Sequence, residues 1–213
     1  MSLLQGQVLD QVKQLFQQLV NPVKLIMFTQ EIECYFCKET RELMQEIGAL
    51  SDKFSVDIYD FVKDAQKVQE YKIDKIPATV IVGEKDYGIR FYGVPADYEF
   101  TSLIEDIMMV SSRESGLTLE TKEKIKTITQ PINIQVFATL TCPYRPPMVR
   151  IAHRFAFESE FITGAMVEAQ EFPHLVQKYK VIGVPKIIIN DKIEFEGALP
   201  EPAFLEKVLE VLK

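Results

Sequence analysis

Positive charge, long apolar runs and cysteine are all scarce in this sequence, and each scarcity argues against a class of protein. The 24 lysines and arginines are outnumbered by 31 aspartates and glutamates, which gives a net charge of −7. This balance argues against a nucleic-acid backbone or an anionic membrane as partner. No apolar run approaches the roughly 18 residues of a membrane span. The first 20 residues lack the basic start and continuous apolar stretch of a secretory signal, so we expect a cytoplasmic protein.

Only three cysteines occur in the 213 residues. A chain of this length buries about 70% of its unfolded surface on folding, so it needs neither a disulfide nor a structural metal for stability. An odd number of cysteines without an export signal fits catalytic or redox thiols better than a secreted disulfide framework. The function of the cysteines therefore has to be sought in their spacing.

The sequence contains the same unit twice. Cys34 precedes Pro77 by 43 residues, and Cys142 precedes Pro185 by 43 residues as well. The two copies are therefore offset by 108 residues at both positions, and an apolar run precedes each cysteine and follows each proline. Because these features share one register, we interpret the chain as an internal duplication.

The hydrophobic pattern predicts the same order of elements in each copy: helix, strand, helix, strand, helix, strand, strand, helix. A polar segment, residues 111–118, separates the copies and predicts two domains, 1–113 and 114–213. Since this order combines a crossover unit with a final hairpin, we expect an α/β protein in which each domain is a four-stranded mixed sheet covered by helices.

The first cysteine pair, Cys34-Tyr35-Phe36-Cys37, lies between a predicted strand and a predicted helix. The free N–H groups and the dipole at a helix N-terminus favour an anion, so we expect Cys34 to ionise more easily than a free thiol. One helical turn brings Cys37 close enough to form a bridge with Cys34 and to release a partner captured there. The spacing therefore predicts a redox-active pair.

Two other uses of this pair stay open at this point. A zinc site uses the same spacing but needs further ligands, and the candidates are Cys142, His153 and His174 in the other copy. An inert structural disulfide is the second alternative. Neither histidine has a neighbouring serine or cysteine that suggests hydrolysis, so both are predicted to be surface residues.

The Cys-x-x-Cys motif at a strand-to-helix junction, followed about forty residues later by Ile76-Pro77, resembles the active centre and cis-proline loop of the thioredoxin superfamily. Two such units in tandem resemble the glutaredoxin-like protein disulfide oxidoreductases known mainly from thermophilic archaea and bacteria. The segments KDYGIRFY (85–92) and YKVIGVP (179–185) are typical of those proteins. The resemblance implies two tandem thioredoxin-fold domains.

The same resemblance implies dithiol–disulfide exchange with protein substrates, in which Cys34 is the nucleophile and Cys37 the resolving thiol. It also implies a cis peptide bond before Pro77, whose loop pairs with an extended substrate. The residues expected to contact substrate are Tyr35, Phe36, Ile76, Pro77, Val184 and Pro185. The implied partners are protein disulfides or thiols and a flavoprotein of the thioredoxin-reductase kind, and no cofactor is implied beyond the redox-active disulfide.

The first centre departs from the thioredoxin pattern at one position. Thioredoxins carry a buried aspartate six residues ahead of the first cysteine, whereas this sequence has Phe28 there. The nearest acids in sequence are Glu31 and Glu33. We expect them either to assist proton transfer or simply to solvate the loop.

The second centre departs further, because Cys142-Pro143-Tyr144-Arg145 places Arg145 where the family has a second cysteine. Without that thiol, this copy cannot complete an internal dithiol cycle. Two interpretations remain open. Cys142 is either a remnant in a structural or substrate-binding copy, or a monothiol site in which the Arg145 cation keeps the sulfur ionised.

Three functions are consistent with these patterns. The first is a protein-disulfide oxidoreductase working through Cys34 and Cys37. The second is an electron relay between a flavoprotein disulfide reductase and a peroxidase. The third is a binding module in which apolar grooves beside the two proline loops hold unfolded chains and redox activity is incidental.

Overall fold

The computed structural model describes residues 6–139 and 146–213 of the protein. Over those residues, helices and strands alternate in the predicted order. The first half contains α1 (Gly6–Phe16), β1 (Val23–Thr29), α2 (Cys37–Gly48), β2 (Phe54–Asp60), α3 (Ala65–Glu70), β3 (Ala78–Val82), β4 (Asp86–Tyr92) and α4 (Tyr98–Ser112). The second half contains α5 (Leu119–Lys126), β5 (Ile132–Ala138), α6 (Pro146–Glu158), β6 (Ile162–Glu168), α7 (Pro173–Lys178), β7 (Lys186–Ile189), β8 (Ile193–Glu196) and α8 (Glu201–Glu210).

Local signals fix several element boundaries. Helix α4 ends at Ser112, and the left-handed backbone of the C-cap residue Arg113 (φ 62°) closes the helix. Helix α5 begins after Thr118, whose side-chain oxygen accepts a hydrogen bond from the Thr121 N–H, and so satisfies one of the free donors of the first turn. The polar connection between α4 and α5 therefore begins with a left-handed residue that ends one helix and finishes with an N-cap that starts the next.

Each half contributes four strands to the sheet, in the order β2-β1-β3-β4 and β6-β5-β7-β8. In both halves the first two strands pair in parallel and the last two form an antiparallel hairpin. A parallel pair needs a crossover connection, and α2 and α6 supply it. The predicted α/β class with mixed strand pairing is confirmed.

The two halves share a single sheet. Strand β4 pairs in parallel with β6, with Ile89 opposite Gly164 and Tyr92 opposite Val167. The described strands thereby form one continuous eight-stranded sheet. The sequence pattern predicts a four-stranded sheet in each copy but not this junction, because the partner of an edge strand leaves no local pattern.

The hydrophobic core lies on both faces of the sheet, and the alternation of side chains along each strand divides it. On β4, Ile89 and Phe91 belong to the larger cluster, which also contains side chains of the long helices α2, α4 and α6. Tyr92 belongs to the smaller cluster on the opposite face, together with residues around α3 and α7. The central strands are therefore covered on both sides, as their nearly continuous apolar sequences require.

Candidate active site

The two cysteines of the first motif are joined by a disulfide in the loop between β1 and α2. Their Cα atoms lie 5.4 Å apart. Cys37 is the first residue of α2 and is only 1% exposed, whereas Cys34 precedes the helix and is partly exposed. The sulfur that an incoming protein can reach is therefore that of Cys34.

The start of α2 makes this loop favourable for a negative charge. Phe36 occupies the N-cap position, and its side chain makes no capping hydrogen bond, so the first-turn N–H groups have no side-chain acceptor there. Free N–H groups and the helix dipole together attract an anion at this end. A thiolate formed at Cys34 on reduction would lie beside this helix end.

The two aromatic residues between the cysteines have different environments. Tyr35 is 91% exposed and contacts the Phe36 ring edge to face, with 4.8 Å between centroids. Phe36 is partly buried and packs against the large core cluster. Of the two, Tyr35 therefore offers the larger free surface beside the disulfide.

Both proline loops have the same geometry. The Ile76-Pro77 and Val184-Pro185 peptide bonds are cis, so the cis bond implied by the family resemblance is confirmed at Pro77. The Pro77 carbonyl accepts a hydrogen bond from the Gly93 N–H at 2.9 Å, and the Pro185 carbonyl accepts one from the Gly197 N–H at the same distance. In each half, the proline is thus hydrogen bonded to the residue that follows the hairpin.

The strand register brings these loops to one edge of the sheet. Phe28 lies opposite Ala78, Ala78 opposite Tyr92, and Tyr92 opposite Val167. The row continues from Val167 to Phe137 and then to Lys186. Directly beyond this row lie the disulfide loop, Pro77, Gly93, the end of β6 and Pro185. We call this edge of the sheet the cysteine edge.

The acids nearest to the disulfide in sequence are surface residues. Glu31 and Glu33 are both exposed, and the Glu31 carboxylate lies 3.5 Å from the Arg41 guanidinium. Phe28, at the position of the thioredoxin aspartate, is fully buried. Of the two roles expected for Glu31 and Glu33, the structure supports solvation of the loop.

A carboxylate that no sequence motif indicates lies at the cysteine edge. Glu171 follows β6 in the second half, and its Oε1 accepts a hydrogen bond from the Val94 N–H of the first half at 2.7 Å. Burial raises the pKa of Glu171 to about 7. No sequence signal indicated this residue, because its partner lies 77 residues away.

The prediction that His153 is a surface residue is wrong. Its side chain on α6 is completely buried, with Nδ1 2.6 Å from Asp106 Oδ2 and Nε2 3.2 Å from the Arg90 carbonyl oxygen. Burial raises the pKa of the Asp106 carboxyl, and the neighbouring His153 opposes that rise. His174 is exposed, as predicted. The error arose because both partners of His153 belong to the other half.

Part of the second centre can be located. Val184 and Pro185 lie at the cysteine edge, whereas Cys142 and Arg145 fall outside the described residues. Within residues 6–139 and 146–213, no group of three or more histidine, cysteine, aspartate or glutamate side chains is placed to hold a metal ion. In the same ranges, none of the helices has the length and apolar character needed to cross a bilayer.

Comparison with longer proteins of known sequence gives distant similarity. The chain is 23% identical over 205 residues to the NADH dehydrogenase of Bacillus subtilis strain 168, covering 96% of this chain and 38% of that protein. It is 25% identical over 171 residues to one of the subunits of the alkyl hydroperoxide reductase of Pseudomonas aeruginosa, covering 80% and 31% respectively. The chain therefore spans only about a third of the length of these curated relatives.

A family model and a solved structure give a closer match. Residues 132–210 match the family model described as a thioredoxin domain. The protein disulfide oxidoreductase from Aeropyrum pernix K1 is 32% identical and superimposes with a TM-score of 0.90, covering 96% of this chain and 91% of that one. With the disulfide and the two cis-proline loops, this similarity shows that the chain belongs to the thioredoxin superfamily.

Proposed function

We propose that the protein is a thiol–disulfide oxidoreductase that acts on protein disulfides through Cys34 and Cys37. One observation supports this proposal above all: a partly exposed cysteine is joined by a disulfide to a buried cysteine at the start of a helix. This asymmetry gives the two cysteines different tasks. Cys34 exchanges with the substrate, and Cys37 resolves the product of that exchange.

The exchange proceeds in two displacements. In the reduced protein, the Cys34 thiolate attacks one sulfur of a substrate disulfide, a mixed disulfide forms, and the other substrate sulfur leaves as a thiolate that takes up a proton. The Cys37 thiol loses its proton and attacks Cys34 Sγ, which breaks the bond to the substrate. Two electrons pass from the cysteine pair to the substrate, and the pair ends as the disulfide. Run in reverse, the same steps oxidise a substrate dithiol.

The substrate chain is proposed to lie across the cysteine edge. Extended backbone beside Ile76-Pro77 brings a substrate sulfur to Cys34, and the exposed Tyr35 ring covers it from the helix side. The matching Val184-Pro185 loop lies at the same edge and offers a second place for an extended chain. Neither step uses a cofactor beyond the disulfide itself.

The second half is proposed to bind or support substrate rather than to turn it over. Arg145 replaces the resolving cysteine, so a mixed disulfide at Cys142 requires an outside thiol for release. We propose the division between the two domains at residues 113 and 114, immediately after the left-handed Arg113 that ends α4. The first domain then carries the complete redox pair.

The proposed function is tested by reduction of a disulfide-bonded protein with dithiothreitol as electron donor. We expect Cys34→Ser to lower the catalysed rate to background, because the attacking sulfur is lost. Cys37→Ser should form a mixed disulfide that persists and is visible by mass spectrometry, because the resolving sulfur is lost. Equal rates for wild type and Cys34→Ser would reject the proposal. Loss of turnover in Cys142→Ser would show that the second copy also performs chemistry.

An electron relay is the second candidate, favoured by the similarity to alkyl hydroperoxide reductase. In that role, a flavoprotein disulfide reductase reduces the Cys34–Cys37 bond, and the dithiol passes two electrons to a peroxidase disulfide. Fast reduction by such a flavoprotein with NADH or NADPH, together with poor activity on unfolded protein disulfides, would favour the relay over the general oxidoreductase.

A further inference from the structure

The two halves meet at the cysteine edge in a close contact between Gly93 and two glutamates. Glu168 is the last residue of β6, and Glu171 lies in the turn that follows. A Cβ atom on Gly93 would lie 2.6 Å from Glu168 Cβ and 2.8 Å from Glu171 Oε1. A side chain at position 93 would therefore push the glutamates away, and glycine permits the approach.

Hydrogen bonds hold Glu171 in this position. Its Oε1 accepts the Val94 N–H at 2.7 Å, and its own N–H donates to Glu168 Oε2 at 2.8 Å. Within the described residues, Glu171 Oε2 is buried and has no hydrogen-bond partner. One oxygen thus fixes the Gly93–Val94 segment, and the other is free to carry a proton.

The Gly93–Val94 segment connects Glu171 to the redox centre. The Gly93 N–H donates to the Pro77 carbonyl at 2.9 Å, so a single backbone segment joins the proline loop to the glutamate. Glu39, two residues after Cys37 in α2, is among the charges that raise the pKa of Glu171. The Glu171 carboxylate therefore lies within electrostatic range of α2, the helix that begins at Cys37.

Burial is the main reason that the pKa of Glu171 rises to about 7, and the Val94 N–H acts in the opposite direction. Among the residues that the structure describes, the charges of Glu168 at the end of β6 and of Glu39 on α2 raise the pKa of Glu171 further. Glu171 consequently changes charge in the neutral range, where thiol–disulfide exchange takes place.

We infer that Glu171 of the second half is a positioning residue for the Cys34–Cys37 centre of the first half. It holds the Gly93–Val94 segment beside the proline loop, and its ionisation opposes formation of the Cys34 thiolate. The inference rests on the proposed function. It gives the second half a role in the reaction although that half lacks a complete cysteine pair.

The direction of the effect follows from like charges. When Glu171 is ionised, its negative charge disfavours a second anion at the start of α2. The reduced protein carries that anion and the disulfide form does not, so ionised Glu171 favours the disulfide. Protonated Glu171 has no such effect. Above pH 7, the Cys34–Cys37 disulfide should therefore be harder to reduce in wild type than in a variant that lacks the Glu171 carboxyl.

The test is the equilibrium between the Cys34–Cys37 disulfide and glutathione, in which two glutathione thiols reduce the pair and leave as glutathione disulfide. The populations are trapped by alkylation and read from the Cys34 and Cys37 peptides by mass spectrometry. Glu171→Gln keeps the acceptor for the Val94 N–H and removes the charge. We expect the reduced form of this variant to be favoured about threefold over wild type at pH 8, and equally populated in both at pH 5.5.

Glu160→Gln is the matched control, because Glu160 precedes β6 at the opposite end of the same strand and is exposed. It should follow wild type at both pH values. Glu171→Ala removes the acceptor as well, so we expect the KM for a disulfide-bonded protein to rise severalfold at pH 6, where Glu171→Gln stays near wild type.

Two results would overturn the inference. In the first, the equilibrium constant with glutathione differs between Glu171→Gln and wild type by the same factor at pH 5.5 and at pH 8. In the second, Glu171→Ala and Glu171→Gln have the same KM for a disulfide-bonded protein at pH 6. Neither result touches the proposed function, which fails instead if wild type does not reduce protein disulfides.

Discussion

At the scale of single residues, burial decides what each chemical group can do. Cys34 and Cys37 are three positions apart, yet only Cys37 is buried, because it begins a helix whose inner face packs on the sheet. Glu171 differs from Glu31 for the same reason. Glu31 lies in solvent beside Arg41, whereas Glu171 is partly buried and titrates near neutrality.

The pKa of Glu171 predicts a pH dependence of stability. Below its usual pKa of 4.5 the group is protonated in both the folded and unfolded states. As pH rises from 4.5 to about 7, the unfolded chain loses this proton first, so the folded state loses relative stability. Allowing for solvent screening, we expect the advantage of Glu171→Gln over wild type to grow by about 1 to 2 kcal/mol between pH 4.5 and pH 8.

Urea unfolding of both proteins at the two pH values measures this difference. Glu160→Gln provides the comparison, and its difference from wild type should stay constant. A constant difference for Glu171→Gln would mean that the folded protein does not hold this proton at neutral pH.

At the scale of elements, one glycine sets how closely α6 approaches the sheet. A Cβ atom on Gly164 in β6 would lie 2.4 Å from the carbonyl oxygen of Ala152 and 3.1 Å from the backbone nitrogen of His153. Both contacts are to helix backbone, which cannot rotate away as a side chain can. The helix that follows the second cysteine therefore rests directly on this strand.

Gly164→Ala should destabilise the protein by about 2 to 3 kcal/mol, since overfilling a close contact forces backbone to move. Gly183→Ala is the matched control, because a Cβ there meets nothing closer than Glu196 Oε2 at 3.8 Å; it should stay within about 0.5 kcal/mol of wild type. The free energy of unfolding in urea measures both. Equal stability of the two variants would contradict the close approach of α6 to β6.

At the scale of the whole molecule, the two copies act as one structure. Strands β4 and β6 are hydrogen bonded, Tyr87 stacks on Phe157 with 4.4 Å between ring centroids, and His153 contacts two groups of the first half. The contact through Glu171 adds a link at the cysteine edge. A redox centre in one half can therefore respond to residues of the other.

Removing one partner of the buried His153–Asp106 pair should cost about 3 kcal/mol or more, because the remaining polar group stays buried. We expect His153→Leu and Asp106→Leu each to show this loss in urea unfolding, and the double variant to recover much of it. Glu105→Gln breaks an ion pair with Arg150 that is partly exposed, and should cost less than about 1 kcal/mol. Additive losses in the double variant would show that the two side chains do not interact.

The sequence by itself determined the repeat, the order of elements and the redox pair. These features depend on spacing along the chain: Cys34 and Cys37 are one helical turn apart, and the proline follows at the same distance in both copies. Alternating and helical hydrophobic patterns are equally local. They predicted the strands and helices of both halves, including the start of α2 at the cysteine pair.

Only the tertiary structure decided the junction of the two sheets, the burial of His153 and the proton affinity of Glu171. Each depends on a partner far away in sequence, such as Arg90 for His153 and Val94 for Glu171. A histidine or glutamate in a polar stretch has the same local pattern whether it faces solvent or another strand. The desolvation and the charges that change its chemistry exist only once the halves have packed together.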